Sequence, residues 1–432
     1  MHSARDSRIV SLRCASYFYI IHVERSISIE DLNLDLSAYV PERISHSARY
    51  FLVASALNGL GNGVFGVVIQ LYLMTLGFGS KDLGSIFMMN SVGMLLLTLP
   101  AGIIADRYGR GRVFMAGIPV SWVAIALVMT GRSIEVLSVA WFLLGLGNAM
   151  GSVLGPFYSS LFDSKDMDRA FGLRGAIGIL SNALGSLMGF IPPALVSRYG
   201  YSLQHSYWLV MLLSLVFFLA DLPFYYWAIR NSSEPDKNEK GFRFNLKSKG
   251  VVIKFSFLYT IQNIAFGFFG LFPYYVNTKF GVQSDALGGL YFISKFIQAG
   301  SSAVAPRIAK KLGSLKTMSL ALGLTVPFWL MFPLAPTFLW ISVVYIFRLL
   351  LGSVCNPLMP SLFYRLLHEE EKATANSLTT MVSMGSNVVG LKLDGYLMEN
   401  VSIDAPAILG GGLYLVYASS FYLLLRNEEE KE

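Results

Sequence analysis

Two cations stand where a chain this apolar can least easily keep them. Lys295 sits mid-way through the run LGGLYFISKFIQAG, and Arg348 is central in another long apolar stretch. Neither stem is long enough to carry its charge to the end of the run. Acids in comparable settings are few, Asp221 and Asp394 among them. Two cations without adjacent carboxylates suit an anionic ligand, or an anionic group on a larger one. The competing arrangement is structural, with backbone carbonyls and distant acids satisfying both. A second set of polar groups is neutral: Asn58, Asn62, Gln70, Asn90, Asn148, Asn182, Gln262, Asn263, Gln298, Asn356 and Asn387, with Arg174 beside them. Amides inside apolar runs either hydrogen-bond between helices or contact a polar solute. About half of this set is expected to do the second.

Reactive chemistry finds little support. The five histidines lie in the leading segment or in loops, so no Ser/His/Asp set assembles. No G-x-x-x-x-G-K-[ST] phosphate loop is present, which disfavours an ATP-driven pump. The two cysteines, Cys14 and Cys355, give neither a disulfide framework nor a metal-ligand spacing. No cofactor and no metal is expected.

The elements that must position these residues follow from composition. Of 432 residues 54% are hydrophobic and only 14% charged, too little charge to cover a soluble surface of this size. Apolar stretches of bilayer-crossing length recur from Ala48 to Leu425. They are too long and too uniformly apolar for barrel strands. Twelve helices are predicted at about 48–76, 83–105, 113–131, 134–161, 170–197, 204–229, 251–278, 285–306, 317–334, 338–365, 373–399 and 404–425. Residues 1–45 form a leading tail with no clear signal peptide. Residues 46–229 and 251–425 are two six-helix bundles, 230–250 a polar linker and 426–432 an acidic tail.

Charge placement sets orientation. The net charge of +7 reflects short basic loops rather than a nucleic-acid surface. Of 34 Lys and Arg, four (Lys81, Arg132, Arg198, Lys279) fall in the loops of one side, and four (Arg174, Lys295, Arg348, Lys392) within helices. The rest gather on the other side, which predicts cytoplasmic N and C termini.

The chain also repeats itself at an offset of about 203 to 205 residues. Gly79–Gly84 matches Val282–Gly288, Ala105–Arg112 matches Ile308–Lys316, Asp168-Arg-Ala170 matches Glu371-Lys-Ala373, and Ser181, Asn182 and Gly185 match Ser386, Asn387 and Gly390. An offset of six helices keeps the membrane orientation, so the halves are parallel repeats with a site expected between them near mid-membrane.

After the second helix comes Gly102-Ile-Ile-Ala-Asp106-Arg107-Tyr-Gly109-Arg110-Gly-Arg112. It closely resembles the signature loop of the major facilitator superfamily, G-x-x-x-D-R-x-G-R-[RK], departing only at Gly111. With the helix count, the repeat and the central linker, the resemblance spans about residues 48–425. It implies an all-α membrane fold of twelve helices, alternating access, and a gating role in which the loop locks the outward-facing state. Gly102 would permit close helix contact, Asp106 would meet a helix N-terminus or a base, and Arg107, Arg110 and Arg112 would face the anionic leaflet. The competing role is topological anchoring alone. The second copy, Arg307 to Lys316, lacks the acid.

Two motifs of the drug/proton antiporters are degraded. Trp141 stands where their fourth helix carries an arginine, and Pro192-Pro193 replaces the Gly-Pro pair of the fifth. The first and fourth helices hold no Asp or Glu, and Asp221 lies in a helix that the resemblance makes peripheral. The leading reading is a secondary transporter of a small organic solute, anionic or amphipathic, acting as a monomer in the cell membrane, with or without a coupling ion. Proton-coupled multidrug efflux and a non-transporting receptor are the alternatives.

Overall fold

A computed structural model describes Pro41 and residues 44–162, 166–232, 247–368 and 371–429. Most of the leading tail, the centre of the linker and the last three residues lie outside the described residues. Among the described residues there are sixteen α-helices: α1 His46–Thr75, α2 Ser80–Tyr108, α3 Arg110–Thr130, α4 Ile134–Gly151, α5 Leu154–Ser159, α6 Met167–Leu187, α7 Ile191–Tyr199, α8 Leu203–Arg230, α9 Lys249–Gly270, α10 Phe272–Phe280, α11 Ser284–Leu312, α12 Ser314–Met331, α13 Phe338–Ser353, α14 Cys355–Arg365, α15 Lys372–Asn400 and α16 Ala405–Glu429.

They make the twelve predicted spans, because four spans are broken in two. The fourth is α4 with α5, the fifth α6 with α7 through a 3₁₀ turn at Met188–Phe190, the seventh α9 with α10, and the tenth α13 with α14. Each break lies just ahead of a proline: Pro156, Pro192, Pro273 or Pro357. Proline has no N–H for the carbonyl four residues back and its ring crowds that carbonyl, so the helix yields there. In the tenth span the Ser353 carbonyl freed by Pro357 accepts from the Ser302 hydroxyl at 3.2 Å.

Ten of the spans are long and apolar enough to cross a membrane. The eighth (α11) and eleventh (α15) have the length but carry Lys295, Gln298, Ser301 and Ser302, or Ser383, Ser386, Asn387 and Lys392. Both pack across the boundary between the halves, α15 on α2 and α11 on α6. Their polarity is therefore shielded by protein on one side.

Between helices in lipid, close approach matters more than apolar character. The repeat is realised where backbones touch. An added Cβ at Gly63 of α1 would collide with the Asn182 carbonyl and Gly185 of α6, and one at Gly267 of α9 with Gly390 of α15. Connectors repeat too. Gly109 and Gly313 hold φ of +99° and +87°, a region side chains avoid. Each donates its N–H to the last turn of the preceding helix, Gly109 to Ala105 at 2.9 Å and Gly313 to Ala309 at 2.8 Å.

Candidate functional site: a bundle closed at one end with a cavity in each half

The two ends of the bundle differ. One carries the first residue of α1, the α2–α3 and α11–α12 connectors and the end of α16, and is called here the terminal face. At the opposite face the halves are sealed together by paired contacts. The Ser80 hydroxyl of α2 donates to the Gly395 carbonyl of α15 at 3.1 Å. Its repeat counterpart, Ser284 of α11, donates to the Gly189 carbonyl at 2.7 Å. Gly84 lies against Leu391 and Gly395, and Gly288 against Ser186 and Gly189, so tightly that neither has room for a Cβ. Gln70 closes the middle. Its amide donates to the Gly270 carbonyl at 2.5 Å and its oxygen accepts the Tyr274 N–H at 3.2 Å. Tyr274 is the residue one repeat away from Gln70, which places this contact on the pseudo-twofold axis between the halves. Lower down, Ser91 donates to Asn387 Oδ1 at 2.9 Å.

At the terminal face the acid of the signature loop faces outward. Asp106 pairs with Arg110 one turn on at 3.8 Å and stays 62% exposed. Among the described residues it has no partner in the second half. An added Cβ at Gly102 would meet nothing within 4 Å. Arg107 lies over the Tyr108 ring at 5.5 Å, and Arg112 reaches the Tyr108 carbonyl at 3.4 Å.

The first half encloses a cavity of about 550 Å³ lined by Asn58, Asn62, Asn90, Asn148 and Asp221 among the rings of Phe65, Trp122, Trp141 and Phe218. Four of the predicted amides meet here. Asp221 joins them from α8, the span expected to be peripheral, and is only 4% exposed. Its Oδ2 accepts from the Asn58 amide at 3.0 Å. Asn58 Oδ1 in turn accepts from Asn62 at 2.8 Å. Trp141, in the place of the antiporters' arginine, is a wall of this cavity and stacks on Phe87 at 5.0 Å.

The second half encloses about 330 Å³ lined by Gln262, Gln298, Arg348 and Asn356 with Tyr259, Phe266, Tyr414 and Tyr417. Arg348 is 7% exposed. Its guanidinium lies 3.7 Å from the centre of the Phe269 ring, 4.8 Å from Phe266 and 5.3 Å from Trp329. Its Nε has no hydrogen-bond partner. Ring faces stabilise the charge but leave its in-plane donors available.

The remaining candidates sit elsewhere. Lys295 is half-buried one turn before Gln298, lines neither cavity, and has no hydrogen-bond or ion-pair partner among the described residues. Asn263 donates to Ser383 at 2.8 Å and ties α9 to α15. Asn182 lies in the α1–α6 seam, and Asn387 in the contact with Ser91. Arg174 rests over Phe51 and Tyr158 at 5.2 and 5.5 Å. Tyr72, Tyr158, Phe272 and Tyr275 are core residues. The sequence names Asp221 as an acid of a peripheral helix; a carboxylate inside LVFFLADLPFYYW is a costly placement that could have marked it as a cavity residue.

An all-helical bundle of two parallel repeats, sealed at one end and with polar cavities inside, is the construction of a membrane carrier. The family model of the Major Facilitator Superfamily matches residues 51–391, and the chain belongs to that family. It is similar to an uncharacterized membrane protein of Saccharomyces cerevisiae, 21% identical over 66% of this chain and 73% of the relative. A segment resembles the class C tetracycline resistance protein of Escherichia coli, 29% identical over 21% of this chain and 24% of that protein. Another resembles the methyl viologen resistance protein SmvA of Salmonella typhimurium, 28% identical over 31% and 26%. These two matches cover about a quarter of each resistance protein. Among solved structures the nucleoside transporter NupG superposes with a TM-score of 0.68 at 13% identity, covering 88% of this chain and 99% of that one. A bacterial homologue of ferroportin in its inward-facing state gives 0.67 at 16%, covering 89% and 99%. Identities this low carry the fold alone.

Proposed function

We propose that this protein moves a small organic solute bearing an anionic group through the membrane by alternating access, as a monomer and without enzymatic chemistry. The observation that carries this reading is Arg348, a buried guanidinium whose charge is held by rings while its Nε is left without a protein acceptor at the edge of a cavity. Carboxylate and phosphate acceptors match such a fork. The sealed opposite face and the exposed Asp106 at the terminal face fit a carrier open toward the terminal side. With the basic loops on that side, this is the cytoplasmic, inward-facing state in the cell membrane. Asp106 and its arginines then form the contact that locks the other state. The test is uptake into proteoliposomes of a panel of organic anions, with and without a pH gradient. Anion uptake that falls in Arg348→Gln supports the reading; uptake of every anion at the wild-type rate removes it.

A second reading, efflux of drugs, is favoured by the segments shared with the tetracycline and methyl viologen resistance proteins. The altered positions Trp141 and Pro192-Pro193 weigh against its proton-antiport form. Resistance of cells expressing the protein to a set of toxic compounds separates the two.

A further inference from the structure

The second half gives its buried charge to an anion, and the first half holds the opposite charge. We infer that the cavity of the first half is a binding site for an organic cation, with Asp221 as its counter-charge. This stands on observations independent of Arg348.

A carboxylate inside a membrane protein is costly unless a partner compensates it. Asp221 is 4% exposed, and its partner is one neutral amide, Asn58 Nδ2 at 3.0 Å. No base lies within ion-pair distance among the described residues. Arg174 is engaged with the Phe51 and Tyr158 rings. The amide is also oriented for the acid. Asn62 fills the Asn58 oxygen at 2.8 Å and donates a second bond to the Asn58 carbonyl at 2.9 Å, so only the NH₂ end of Asn58 can turn to Asp221. Asn62 itself is exposed to the cavity.

The surroundings decide which cation. A metal ion would need several oxygen ligands of high charge, and the cavity offers one carboxylate with amides. A proton would need no cavity. The volume of about 550 Å³ is that of a small-molecule site. Six rings line it, Phe65, Phe114, Trp122, Trp141, Phe218 and Tyr225, and ring faces attract organic ammonium groups. The ligand class is therefore an aromatic or alkyl-substituted monocation.

Two tryptophans in the lining supply the readout. Tetraphenylphosphonium, with tetraethylammonium as a smaller probe, is titrated into the full-length protein in nanodiscs while tryptophan fluorescence is followed. The wild type should show saturable quenching. Asp221→Asn should bind at least tenfold more weakly, Asp221→Glu within a few-fold of wild type, and Arg348→Gln like wild type. Asn62→Lys provides a second route: it keeps Asp221 but tethers a competing ammonium beside it, and should abolish binding. Thermal unfolding verifies that each variant is folded. The inference is overturned if neither probe binds the wild type saturably, if Asp221→Asn or Asn62→Lys binds as tightly as wild type, or if a neutral aromatic analogue competes as well as the cation. Loss of anion uptake in Arg348→Gln is a separate measurement, so failure of one site does not disguise failure of the other.

Discussion

The two halves of this carrier agree in their seams and disagree in their cavities. Gly63 against Gly185 is repeated by Gly267 against Gly390, and Ser80 on the Gly395 carbonyl by Ser284 on the Gly189 carbonyl. Where backbone meets backbone, the space for a side chain is fixed and both copies keep the same small residues. Where a helix faces a cavity, no such limit applies. There both halves have amides and rings, but the first adds an acid and the second a cation. Duplication thus supplied one mechanical frame and two different chemical surfaces, and each member of that comparison can be attacked on its own.

The largest effect is expected at the frame. Gly84→Leu and Gly288→Leu force a side chain into the seal of the opposite face, where the neighbouring atoms are backbone that cannot move aside. Overpacking of this kind costs about 1–3 kcal/mol, which lowers the closed population roughly 5- to 150-fold. Tyr274→Cys reports on it, because impermeant maleimide should label this cysteine slowly in the parent and rapidly in both glycine variants. If the frame is truly symmetric the two variants act alike. A large effect at Gly84 with none at Gly288 would break the symmetry.

At the cavities, Arg348→Gln should raise KM for an anionic solute about 10- to 100-fold, the worth of one hydrogen bond to a charged group. Arg348→Lys keeps the charge but loses the planar stack on Phe269, and should recover only part of it. Equal kinetics for the two variants would show that charge alone counts at this position.

How much of this was legible beforehand follows the same division. Helix count and repeat are written in apolar length and in glycine spacing, both local properties of the chain. The four broken spans were foreshadowed by their prolines, though not as separate helices. Gathering Asn58, Asn62, Asn90 and Asn148 on one cavity was foreseeable from their helices. Separating Asn263 and Asn182, which tie seams, from Gln262, which lines a cavity, was not. Neighbours in sequence lie about 100° apart around a helix, and only the packing of α9 on α15 decides which of them faces inward. Asp221 was left out of the cavity for a related reason. A helix that is peripheral as a whole still turns one face inward, and α8 uses that face to close the first-half cavity.

A smaller effect is expected at the terminal face. Asp106→Asn removes the charge available to a helix N-terminus or base of the other half. Such interactions are worth about 0.3–2 kcal/mol, so solute exchange should slow by roughly twofold to thirtyfold with the fold intact. The opposite-face labelling of Tyr274→Cys should then decrease further, because the lock belongs to the state in which that face is open. Unchanged exchange and labelling would leave the loop as an anchor of topology.

The smallest effect concerns what ties the halves together in sequence rather than in space. Glu371, at the start of α15, is buried and gathers the end of the linker. It accepts from the Lys247 N–H at 2.6 Å, the Ser248 N–H at 3.0 Å and the Ser248 hydroxyl at 2.5 Å. Burial alone would raise its pKa. The bonds from Ser248 and Lys247, with help from His368, outweigh burial and hold the carboxyl below the ordinary glutamate range. A depressed pKa means stabilisation that is complete above the unfolded value and disappears as pH falls through the folded one. Glu371→Gln should therefore lower the unfolding temperature slightly at neutral pH and quicken proteolysis of the linker. Parent and variant should converge once the pH drops below the folded pKa of Glu371. A difference that persisted in acid would mean that shape rather than charge holds the linker here, and that the carboxylate is not what fixes the start of the second half.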